Sequence, residues 1–118
     1  MIDFYFWPTP NGWKISIALE EMGLAYNVMP IELGKGEQFT QEFEKISPSR
    51  RMPAIVDHEP LGQRAPFALA ESGAILMYLA EKSGQFWPNE TQDQYQALQW
   101  LLWQTTQLCF RPRNPQRN

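Results

Sequence analysis

The apolar runs along the chain predict an α/β fold, a mixed four-stranded sheet with helices on both faces, in the order βαβαββα. Two observations carry this. A strand–helix–strand unit opens the sequence, which favours parallel pairing through a right-handed crossover. Two short apolar runs later in the chain are joined by a turn containing Pro60 and Gly62, which favours antiparallel pairing.

The elements follow in order. Ile2 to Trp7 is short, aromatic and β-branched, and Pro8 and Pro10 end it, so it reads as a buried strand. Asn11 then suits a helix N-cap. The stretch Lys14 to Met22 places Ile15, Ala18, Leu19 and Met22 at helical steps, and Gly23 closes the helix. Tyr26 to Ile31 reads as a second strand, closed by Gly34 and Gly36. Phe39 to Ile46 is a short helix stopped before Pro48. Ala54 to Asp57 and Phe67 to Leu69 are the two hairpin strands. Glu71 to Lys82 is the clearest helix, with Ala74, Ile75, Tyr78 and Leu79 on its apolar face and Gly84 beyond its end. A last helix runs from about Thr91 to about Leu108.

Composition narrows the function classes. The chain has 118 residues, 43% hydrophobic and 19% charged, which excludes a disordered polypeptide. No apolar run is long enough for a membrane span. The opening Met1-Ile2-Asp3-Phe4 lacks the pattern of a signal peptide. Net charge is −3, but Arg111, Arg113 and Arg117 all fall in the acid-free last eight residues, so the first 110 carry −6. An acidic body argues against a nucleic-acid binder. The lone Cys109 can form no internal disulfide, and the cytosol is the expected compartment. His58 has no Cys or His near it in sequence, so no metal site is expected.

Three local features can carry chemistry. The turn Pro8-Thr9-Pro10-Asn11-Gly12 sets a hydroxyl and a carboxamide beside the backbone N–H groups of a helix start. That arrangement stabilises an anion, including a thiolate, and it equally suits an ordinary cap and turn. In Arg51-Met52-Pro53-Ala54-Ile55-Val56, a cis Pro53 would turn the Met52 backbone outward to pair with an extended peptide, whereas a trans one is only a strand start. Glu71-Ser72-Gly73 opens the clearest helix. It offers N–H groups and a hydroxyl to a carboxylate, with Glu71 facing an ammonium, or else it is a plain cap.

Together these residues form a recognisable set. Thr9-Pro10-Asn11-Gly12-Trp13-Lys14-Ile15, Leu33-Gly34-Lys35-Gly36-Glu37-Gln38-Phe39, Ile46-Ser47-Pro48, Met52-Pro53-Ala54-Ile55-Val56-Asp57 and Glu71-Ser72-Gly73-Ala74-Ile75-Leu76-Met77-Tyr78-Leu79 occur in one order and spacing. The chain from Met1 to about Gln104 resembles the N-terminal, thioredoxin-like domain of bacterial glutathione S-transferases, in particular the Nu-class, disulfide-bond-reductase branch. The resemblance implies glutathione as co-substrate. Glu71 and Ser72 would hold its γ-glutamyl end, the Met52 backbone before a cis Pro53 would pair with its cysteinyl unit, and Gln38 would contact it from the loop after the second strand. Thr9 and Asn11 would face the sulfur as the catalytic pair.

The reaction implied is glutathione-dependent disulfide reduction, or thiol transfer to an electrophile, by a nucleophile that belongs to the ligand. The absence of Cys-x-x-Cys from residues 9 to 14 agrees with that and argues against a thioredoxin. Cys109 is assigned no catalytic role, and Tyr5, inside the first strand, reads as a packed core residue rather than an activator. The partners implied are glutathione and a small disulfide or electrophile, with no nucleic acid and no membrane, in a homodimer.

The expected domains are a glutathione-binding domain over 1–87, and over 88–118 the first helix of an otherwise missing all-helical domain with an Arg/Pro-rich tail. Trp100-Leu101-Leu102-Trp103 makes that helix unusually apolar, so burial over most of its circumference is expected. Beyond about Gln104 the sequence departs from the family's continuation, in the manner of a frameshifted or prematurely ended reading frame. The alternative reading is therefore a catalytically impaired glutathione-binding or interaction module.

Overall fold

The computed structural model describes residues 1–62 and 65–103. It divides into two compact units, one of Met1–Gln85 and one beginning at Phe86. In the first unit, strands β1 (Ile2–Phe6), β2 (Tyr26–Pro30), β3 (Ala54–Asp57) and β4 (Phe67–Ala70) alternate with helices α1 (Pro10–Met22), α2 (Gln41–Ile46) and α3 (Ser72–Ser83). The sheet order is β2-β1-β3-β4. The β1–β2 pair is parallel, and the β1–β3 and β3–β4 pairs are antiparallel. This is the mixed four-stranded sheet expected, in a thioredoxin-like arrangement.

Side-chain alternation along β1 separates the two faces of the sheet. Ile2 and Phe4 point to one face and join Ile55, then Ile15, Ala18 and Leu19 of α1 and Ile75 and Leu79 of α3, in a single buried core. Burying each such aliphatic or aromatic side chain stabilises the fold by about 1.5–3 kcal/mol. Tyr5 points the other way, its ring 6.0 Å from that of Phe43 on α2. It is thus a packed aromatic on the second face, and burial, aided by Asp3, pushes its hydroxyl pKa up.

Several boundaries differ from the sequence reading, each for a local reason. Helix α1 begins at Pro10, and its N-cap is Thr9, not Asn11. Pro10 is the first helical residue, where a fixed φ and a missing N–H carry no penalty. Phe39 lies in a 3-10 turn (Glu37–Phe39), and α2 starts after Thr40, whose hydroxyl accepts from the Phe43 N–H. Glu71 stands outside α3, because its φ of 77° is not helical. On α3, Ala74 is exposed and Ala80 is buried in its place.

In the second unit, α4 (Thr91–Trp103) has no buried residue, and the partners expected to cover it, further helices and a second subunit, are not among the described residues. Its apolar run of four consecutive residues winds around the whole helix, so no single neighbour could cover it. Trp100 and Trp103 stack edge to face at 5.8 Å. The expected extension to Leu108, Cys109 and the arginine tail lie outside the described residues. No helix among the described residues is long and apolar enough to cross a membrane.

Candidate functional site

The strand registers bring the three chemical features to one end of the sheet. Tyr5 on β1 lies opposite Ala54 on β3, and Ala54 opposite Ala70 on β4. The chain leaves β1 towards Thr9, enters β3 from Met52-Pro53, and leaves β4 into Glu71-Ser72, all at this end. The Phe6–Pro30 pair puts the exit of β2, and hence the loop that carries Gln38, at the same end. Helices α1 and α3, which pack against each other, both point their N-termini there.

The two helix starts differ. At α1, Thr9 is extended (φ −129°, ψ 160°), and its Oγ1 accepts from the Gly12 N–H at 3.3 Å. Using one oxygen lone pair leaves the hydroxyl hydrogen able to donate. Asn11 is the second helical residue, and its Oδ1 accepts from Lys14 Nζ at 3.1 Å. Gly12 is needed for space: a Cβ there would lie 2.7 Å from the Trp7 carbonyl oxygen and 3.0 Å from the Phe6 ring. That contact sets how closely α1 approaches the end of β1, and no feature of the local sequence announces it.

At α3, no side chain caps the first turn. Its N–H groups thus lack the satisfaction that Thr9 gives α1, and an anion can supply it. Ser72 opens the helix and is 8% exposed. The preceding Glu71 has φ 77° and ψ 115°, a conformation costing a non-glycine residue about 1–3 kcal/mol. This strained residue stands at the N-cap position, immediately before the uncapped turn.

The Met52–Pro53 bond is cis. Met52 lies just before the β3 ladder, which begins at Ala54. Ser47 holds the approach to it: fully buried, it donates to the Arg51 carbonyl at 2.8 Å and accepts from the Arg51 N–H at 3.2 Å. Arg50 takes a positive φ of 57° in this loop and pairs with Glu44 on α2. Ser47 was missed as a site-shaping residue, although Ser before Pro48 is itself a turn signal. In the neighbouring loop Gln38 keeps its Oε1 buried without a hydrogen-bond partner, which costs about 1–3 kcal/mol unless a ligand rearrangement satisfies it.

His58 Nε2 lies 2.8 Å from Asp3 Oδ2. Among the described residues, no three His, Cys, Asp or Glu side chains gather as a metal site.

Residues 1–81 match the family model of the glutathione S-transferase N-terminal domain. The chain belongs to this family. Among its curated relatives is the disulfide-bond oxidoreductase YfcG of Escherichia coli (strain K12), 56% identical over 104 residues, covering 88% of this chain and 48% of YfcG. The disulfide-bond oxidoreductase YghU of the same organism is 37% identical, covering 86% of this chain and 36% of YghU. The chain thus spans at most about half the length of these relatives.

Among solved structures, a glutathione transferase family member from Pseudomonas fluorescens with two glutathione molecules bound superposes with TM-score 0.84 at 47% identity, covering 88% of this chain and 45% of that one. A glutathione transferase from Pseudomonas putida with one glutathione disulfide bound per subunit gives TM-score 0.83 at 46% identity, with the same coverage of both chains. The first unit therefore has the thioredoxin-like fold of a glutathione S-transferase N-terminal domain.

Proposed function

We propose that this protein binds glutathione at the C-terminal end of β1 and uses its thiolate to reduce disulfides or to transfer the thiol to an electrophile. The observation that carries the reading is the pairing of an uncapped α3 N-terminus with a strained Glu71. An anion-seeking turn beside a carboxylate suits the γ-glutamyl end of the tripeptide, which bears both a carboxylate and an ammonium.

The remaining roles follow along an extended ligand. Ser72 donates its hydroxyl to the same carboxylate, and the Met52 backbone, presented by cis Pro53, pairs with the cysteinyl unit by strand addition. Gln38 turns its amide to the ligand. The sulfur comes to the start of α1, where the Thr9 hydroxyl and the Asn11 amide donate to it. Donors favour the charged form, so thiolate is preferred to thiol, and each unit by which the thiol pKa falls below about 8.5 is worth about 1.4 kcal/mol.

The reaction needs no thiol from the protein. The bound thiolate attacks one sulfur of a disulfide and displaces the other as a thiolate, and a mixed disulfide with glutathione forms. The names of YfcG and YghU, and the glutathione disulfide in the Pseudomonas putida structure, support disulfide chemistry over other transfers.

Calorimetry on the full chain with reduced glutathione, followed by a coupled assay of disulfide reduction, tests the proposal. Saturable binding with turnover that falls in Thr9→Ala and Asn11→Ala is expected. Binding without turnover would leave the module reading, and no binding to folded protein would overturn both.

A further inference from the structure

Lys14 is placed where helix chemistry gains nothing from it. It lies one turn into α1, near the positive end of the helix dipole, and the first turn of α1 contains no acidic residue. Both features oppose the usual pattern, in which acids sit near helix starts and bases near helix ends. Local departures of this kind are expected where a functional site outweighs them. Its ammonium donates to Asn11 Oδ1 at 3.1 Å, one turn back.

A carboxamide has two unlike ends. The oxygen only accepts and the NH2 only donates, while a lysine ammonium has donors and no acceptor. Lys14 can therefore engage only the oxygen of Asn11, which fixes the flip of the amide and leaves Nδ2 on the side away from Lys14. An unanchored Asn11 could present either end to a ligand sulfur. The oxygen would repel a thiolate and accept from a thiol, whereas the NH2 stabilises the thiolate.

We propose that Lys14 is a positioning residue, which orients the Asn11 carboxamide so that its Nδ2–H2 group faces the sulfur of the bound ligand. This rests on the glutathione reading above and assigns a residue that acts through Asn11 rather than touching the substrate. It also explains why an amide, rather than a second hydroxyl, can serve beside Thr9. A hydroxyl rotates to suit its partner, but an amide must be held.

The test is an ultraviolet titration of the bound thiol across pH, on the full chain with saturating glutathione. In the wild type, ionisation is expected at lower pH than for free glutathione. In Lys14→Met the midpoint should rise by about one unit, roughly tenfold less thiolate at a fixed pH below it. Lys14→Arg keeps a donor in place and should hold the wild-type midpoint. In an Asn11→Ala background, Lys14→Met should add little, because the partner through which it acts is gone.

The thermal midpoint of Lys14→Met, measured alongside, separates a lost orientation of Asn11 from a weakened fold. An unshifted wild-type thiol would sink the glutathione-activation reading and this assignment with it. A shifted wild type with an unchanged Lys14→Met would overturn the Lys14 role alone. So would a full Lys14→Met effect persisting in Asn11→Ala, or a thermal midpoint falling in step with the titration.

Discussion

At the end of the sheet where the three chemical features meet, single residues carry a local cost in stability. Glu71 is the clearest case: its φ of 77° suits glycine, yet it carries a carboxylate. Glu71→Gly should relieve the strain and raise the unfolding free energy read from urea denaturation, by about 1 kcal/mol after allowing for the looser unfolded chain. The same change should weaken glutathione binding severalfold by calorimetry, because the proposed partner of the ligand ammonium is lost. A fall in stability instead would mean that the Glu71 side chain holds the fold together. Gly12 shows the opposite logic, since there the absence of a side chain is what matters. Gly12→Ala places a Cβ 2.7 Å from the Trp7 carbonyl oxygen. A backbone atom cannot step aside, so α1 must shift. We expect a loss of about 1–3 kcal/mol in urea denaturation together with weaker glutathione binding. Unchanged values for both would show that the start of α1 has room to spare.

The elements meet at the site through their ends, and those ends were the least legible part of the sequence. Apolar spacing was enough for the strands, for the buried Ile15, Ala18 and Leu19 of α1, and for Ile75 and Leu79 of α3. The cap of α1 was displaced by two residues because Pro10 reads equally as a strand stop and as a helix start. The start of α3 was displaced by one, because the positive φ of Glu71 is imposed by its surroundings rather than by its side chain. The site residues lie far apart in the chain, and only the resemblance grouped them before the strand registers placed them at one end. Nothing local revealed that the Ser47 side chain bonds both backbone groups of Arg51. Ser47→Ala would remove both of these part-buried bonds, at about 0.5–1.5 kcal/mol each. Because that loop presents Met52, glutathione affinity should fall as well. A Ser47→Ala protein with wild-type affinity would separate the loop from the ligand.

Over the first unit as a whole, the two ends of the sheet divide the labour. The site end holds uncapped and strained groups, and the far end holds a closed polar network. Asp57, at the end of β3 opposite Ile2, is fully buried. It accepts from Tyr78 Oη at 2.7 Å and from the Glu59 N–H at 3.0 Å, and pairs with Lys82 Nζ at 2.8 Å. Lys82 also donates to the Glu59 carbonyl at 2.6 Å, and the Leu61 N–H donates to Tyr78 Oη at 3.2 Å. Both Tyr78 and Lys82 belong to α3, so the network anchors the end of the helix whose other end opens at Ser72. Burial raises the Asp57 pKa, but the hydrogen bonds from Lys82, Tyr78 and the Glu59 N–H outweigh it, and the carboxyl titrates below its ordinary value. Its stabilisation is thus present above the unfolded value of about 3.9 and is lost as pH falls through the lower folded value. Tyr78 is pushed the other way, up to about 12, by burial and by its bond to Asp57. It favours the fold while protonated in both states, and that contribution disappears as pH rises from about 10 towards about 12. Urea midpoints followed against pH should therefore fall on both flanks. Tyr78→Phe should flatten the alkaline flank and keep much of the acid one. Asp57→Asn should flatten the acid flank and weaken the alkaline one, because it removes a charge that raises the Tyr78 pKa. Flanks that keep their wild-type slopes in both variants would place the pH sensitivity of the domain outside this network.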